Sequence, residues 1–200
     1  MKPFAVAIAV LGVMAMAAPL RAYPPAVGIL GNSKTCLSCH VNNGPWTDGA
    51  KTLIDILDKE SGQSLRQADG SFLIEAKRGQ TRTVLTVIGR AKGDTATPPY
   101  RNAWLYIDPM QIETSSLAKF APGWAVNLPM SCRIVGDTVK GYEGATITAL
   151  PMTIRPLDDA RDATIVLQVM LTRGESVKGK PKEGMLGNYF ERSVRLKVLN

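Results

Sequence analysis

The chain has 200 residues, 45% of them hydrophobic and 20% charged, with a formal net charge of +7, three cysteines and one histidine. That length can bury a real core in one domain, or in one domain plus a small appendage. The basic charge is mild and interspersed rather than blocked, which argues against nucleic acid and for an acidic protein partner.

Taken from the front, Lys2 precedes a small, apolar run from Phe4 to Ala18, and Leu20-Arg21-Ala22 ends on a small residue. This is the layout of a secretory leader cut after Ala22, with a cut after Ala17 as the other position that meets the small-residue rule. The run is too short to span a bilayer, and no later stretch predicts a membrane anchor. The expected organisation is a signal peptide over residues 1–22, a cofactor-binding segment with one helix over 23–69 and a β-sandwich over 70–200. Export to the periplasm is the expected destination.

Tyr23 to Thr35 contains Pro and Gly and is too irregular for a helix. Next comes Cys36-Leu37-Ser38-Cys39-His40, the spacing at which haem is joined covalently to a polypeptide. One tight turn can set two sulfurs along one porphyrin edge and project the following imidazole toward iron. The cysteine count agrees, since two thioethers and one buried thiol, Cys132, leave no odd partner from a disulfide. One covalent haem c is therefore the expected cofactor, held by Cys36, Cys39 and His40, with Trp46 placed to pack on it. Zinc held by Cys36, Cys39, His40 and Cys132 is the alternative donor set. A thioredoxin-like dithiol would need an α/β pattern, which is absent.

Thr47 is a candidate cap for a helix over Asp48 to Glu60, with Ala50, Leu53, Ile54 and Leu57 as its apolar stripe. Beyond Asp69-Gly70, short strands are expected at Ser71–Lys77, Thr81–Arg90, Ala103–Ile107, Trp124–Val135, Ala145–Ile154, Ala163–Thr172 and Ser193–Leu199. In the fourth of these, Trp124, Val126, Leu128, Met130, Cys132 and Ile134 would share a face. In the sixth, Ile165, Leu167, Val169 and Leu171 do. Loops at Lys92–Asn102 and Gly174–Asn188 interrupt the rhythm, the second carrying Lys178, Lys180 and Lys182 as a candidate steering patch. About seven strands with little helix predict a mainly β fold, an immunoglobulin-like antiparallel sandwich. Trp104 and Trp124 read as core.

A second axial donor cannot be another histidine, because there is none. Thioethers are one choice and raise the potential: of Met110, Met130, Met152, Met170 and Met185, Met130 and then Met152 lead, both lying in Leu-Pro-Met. Cys132 thiolate is another. A third arises if the mature chain starts Tyr23-Pro24-Pro25 and soon reaches CxxCH. The CxxCH motif resembles that of c-type cytochromes. Tyr-Pro followed by CxxCH and a β sandwich resembles cytochrome f, by motif over Tyr23 to His40 and by fold class beyond. That resemblance implies the α-amino group of Tyr23 as the distal ligand opposite His40. An α-amine titrates near pH 8, so deprotonating it to bind metal costs little.

The function expected is one-electron transfer by a monohaem protein, alone or as a subunit of a redox complex. The alternative is a five-coordinate haem protein that binds or reduces a small ligand, as a peroxidase or gas sensor. The latter would need a distal acid–base group, and an arginine such as Arg101 or Arg133 would have to act without a distal histidine.

Overall fold

The computed structural model describes residues 34–112, 120–127, 130–173 and 186–200. Within them the fold is an immunoglobulin-like sandwich of two sheets. The strands are β1 (Thr52–Asp58), β2 (Phe72–Lys77), β3 (Arg82–Arg90), β4 (Arg101–Ile107), β5 (Trp124–Asn127), β6 (Met130–Ile134), β7 (Thr146–Pro156), β8 (Ala163–Thr172) and β9 (Gly187–Leu199). The smaller sheet has the order β1-β3-β7-β5 and the larger β2-β9-β8-β4-β6.

Period-two alternation explains most of this. Ile165, Leu167, Val169 and Leu171 point between the sheets and are fully buried, as are Phe72, Ile74 and Val84 from β2 and β3. Trp104 and Trp124 join the same core, as their strand positions predict.

Three expectations need correction. The helix at Asp48–Glu60 is instead a single 3-10 turn, Gly49–Lys51, capped by Asp48, followed by β1. Thr52, Ile54 and Ile56 are β-branched, alternate, and all face inward, against β3 through pairs such as Ile54 with Ile88. The spacing of Leu53, Ile54 and Leu57 fits a helical stripe as well, and tertiary pairing overrides it. The sandwich thus begins at Thr52, ahead of residue 70.

Secondly, Trp124–Val135 does not form one strand. β5 pairs with β7 in the smaller sheet and β6 with β4 in the larger, so Trp124 and Cys132 belong to different layers. Thirdly, the sandwich is not wholly antiparallel, since β2 runs parallel to β9. β9 also starts at Gly187, inside the stretch expected to be loop.

Candidate functional site

Thr35 sets the start of the site. Its hydroxyl accepts the Leu37 N–H while Ser38 Oγ accepts the Thr35 N–H, a reciprocal cap around the 3-10 turn Cys36–Ser38. The N–H groups of Cys39 and His40 both donate to the Cys36 carbonyl, at 3.1 and 3.0 Å. Cys36, Cys39 and His40 are thereby gathered in one compact turn, with both thiols free and buried.

The turn rests on the outer face of the larger sheet. Cys36 packs with Leu105, Ile107 and Met170, and Ala103, Val166 and Tyr189 border the cluster. These residues lie one position out of phase with the core-facing set of β4 and β8, so they point away from the smaller sheet. The Cys36 N–H donates to Gln168 Oε1 at 3.2 Å. Beyond the turn, the chain runs along the start of β9. The Tyr189 N–H donates to Asn42 Oδ1, the Gly44 N–H to the Gly187 carbonyl at 2.7 Å, and the Trp46 N–H to Asn188 Oδ1 at 2.7 Å. Gly44 permits this approach: a β-carbon there would lie 2.5 Å from Asn188 Oδ1 and 2.9 Å from the Gly187 backbone.

Burial shapes the chemistry of the turn. It pushes the Cys36 thiol up to about 12, with Cys39 and Glu191 adding to the rise against a backbone hydrogen bond. Cys36 is therefore a protonated thiol at neutral pH, unlike the low-pKa nucleophile of a dithiol oxidoreductase. Burial lowers the His40 pKa, which favours the neutral imidazole that can donate to a metal. Tyr189 donates to Glu191, and burial first, then that hydrogen bond, raises the phenol's pKa.

The remaining sequence candidates fall in several places. Trp46 is completely buried between the sheets, its indole N–H donating to the Thr97 carbonyl at 2.8 Å. It belongs to the inter-sheet core rather than to the cluster around Cys36. Met152 lies opposite Val84 in that same core, so the larger sheet stands between it and the turn at Cys36. Met130 pairs in register with Leu105, the residue packed on Cys36. Tyr23 and the three lysines at 178, 180 and 182 lie outside the described residues. Cys132 pairs with Ala103 at the border of the cluster. Among the described residues no group of three or more His, Cys, Asp or Glu side chains converges as a metal site, so the zinc tetrad is not assembled.

Sequence reasoning passed over Gln168, Asn188 and Tyr189. A glutamine in the middle of the apolar run Val166-Leu167-Gln168-Val169-Met170 was the available signal. A polar residue there needs a partner, and the partner is the Cys36 N–H.

Comparison with solved structures returns only distant likenesses. The chain is similar to an ASH/PapD-like domain of human CEP192, with 12% identity and a TM-score of 0.34 over 80% of this chain and 94% of that one. A cohesin module of a Clostridium perfringens family 33 glycoside hydrolase gives 11% identity and 0.34, over 74% and 97% of the respective chains. The Salmonella enterica SafA pilin in complex with the SafB chaperone gives 12% and 0.34, over 64% and 52%. These likenesses concern the fold alone. The chain matches no protein-family model and no curated protein.

Proposed function

We propose that the chain is an exported monohaem c-type cytochrome that transfers one electron at a time with a protein partner. The observation that carries this reading is the turn itself: two free thiols and an adjacent imidazole, capped by Thr35 and seated on an apolar sheet face. The donor set fits covalent haem, and Leu105, Ile107 and Met170 seat the turn that would carry it. Bound there, haem c would supply a one-electron ferric–ferrous couple.

In this reading Cys36 and Cys39 would hold the haem as thioethers and His40 would offer its imidazole to the iron. The resemblance implies the Tyr23 α-amine as the second donor to the iron, and Pro24 and Pro25 would limit the entropy lost on fixing that terminus. Among the thioethers, Met130, which pairs with Leu105 beside the cluster, is favoured over Met152, which lies in the inter-sheet core. The leader directs the chain to the periplasm, and among the described residues no helix is long and apolar enough to cross a membrane. Interspersed positive charge suits an acidic redox partner, with association that weakens as salt rises.

Expression with the leader in a haem-attaching host tests the reading. The expected product is coloured, keeps its pigment in a denaturing gel, and shows a low-spin spectrum indifferent to carbon monoxide. A colourless periplasmic product with both motif thiols open to alkylation would overturn it. One residue inserted ahead of Tyr23 should alter the low-spin spectrum; no alteration transfers the distal role to a thioether.

A further inference from the structure

We infer that Gln168 is the positioning residue of the attachment turn, its side-chain carbonyl fixing Cys36 on the sandwich; its bearing on haem rests on the function proposed above. Gln168 is 1% exposed, with Val166 and Met170 as its outward-facing neighbours on β8 and Leu105 opposite on β4. A carboxamide in such surroundings is destabilising unless it is paired. Its Oε1 accepts the Cys36 N–H across 132 positions of sequence. That N–H opens the turn, and no carbonyl within the turn is placed to receive it.

What hangs from Cys36 gives this bond its reach. The Cys39 and His40 amides both end on the Cys36 carbonyl, so an anchor at Cys36 also orients the second sulfur and the imidazole. Thr35 and Ser38 close the turn on itself without tying it to a strand. Asn42 and Asn188 fasten the chain further along, past His40. Gln168 is therefore the side chain through which β8 sets where the turn begins. A mere fastener would affect stability alone, whereas a positioning residue also governs the geometry of the proximal donor.

The test uses the full chain produced with its leader, as wild type, Gln168→Leu and Gln168→Glu. Leucine keeps an apolar filling but removes the acceptor, while glutamate retains an acceptor oxygen. In Gln168→Leu the far-ultraviolet dichroism should stay near wild type, and the melting transition should fall modestly because the buried Cys36 N–H loses its acceptor. Exchange of the Cys36 amide should quicken roughly fivefold, the factor that one neutral hydrogen bond contributes. The low-spin electron paramagnetic resonance should broaden, and Gln168→Glu should restore both readouts. Unchanged exchange in a folded Gln168→Leu protein overturns the anchor. Faster exchange with an unaltered resonance overturns the positioning role. Should leucine prevent folding, Gln168→Ala, which cannot overpack the cluster, is measured in its place. A wild-type product without haem defeats the proposed function instead, and exchange at Cys36 still decides whether Gln168 holds the turn.

Discussion

Along β8, Ile165, Leu167, Val169 and Leu171 face the opposite sheet, while Val166, Gln168 and Met170 between them face away. The inward set is buried by the other layer of the sandwich, as in any two-sheet fold. The outward set includes two wholly or almost wholly buried members, Gln168 and Met170, with the segment around Cys36 packed over them. One side of the strand makes the fold and the other makes the seat of the candidate site. A shift of a single residue separates the two roles, and mutations can address them one at a time.

The largest effect is expected inside. Leu167→Ala should lower stability by about 2–5 kcal/mol, the usual cost of a buried leucine cavity, measured by chemical denaturation. The spectrum of the protein that remains folded should not move. If it does, the two faces are coupled and the division fails. Crowding the outer side should cost less. A β-carbon at Gly187 would lie 2.5 Å from Met170 Cε and 2.8 Å from the Val41 carbonyl. Gly187→Ala should therefore destabilise by about 1–3 kcal/mol, as overpacking does, and should shift the low-spin spectrum, which Leu167→Ala leaves alone.

The smallest effect lies away from both faces, at the end of β1. Hydrogen bonds from the Ser61 amide and hydroxyl, with the Arg82 guanidinium 3.0 Å away, hold the Asp58 carboxyl down at about 2. A depressed folded-state pKa gives stability that is present above the unfolded value near 3.9 and is lost as pH falls through about 2. Asp58→Asn should cost on the order of 1 kcal/mol at neutral pH, given the partial exposure of the pair. Its deficit should shrink between about pH 4 and pH 2 in acid denaturation.

How much the sequence reveals differs between these regions. The inward face of β8 was legible because four apolar residues alternate without interruption. β1 was not, since Leu53, Ile54 and Leu57 fit a helical stripe while Thr52, Ile54 and Ile56 fit an extended one. The break between β5 and β6 escaped for a different reason: alternation continues through Trp124 to Ile134, and nothing local records that β5 and β6 join different sheets. The seat itself depends on Cys36 meeting Gln168, and periodicity is blind to a partner so distant.

The parallel union of β2 with β9 has a consequence for maturation. Lys197 meets Glu75 at 2.8 Å although they are 122 positions apart, and β9 lies between β2 and β8 in its sheet. Such remote pairings form late, after the entropy of closing a long loop has been overcome. A chain emerging leader first would thus present its thiols while the last strands, with Gln168 and Asn188, are still arriving. Under the function proposed above, attachment would come while the cysteines are open, with burial only after β9 has joined the sheet.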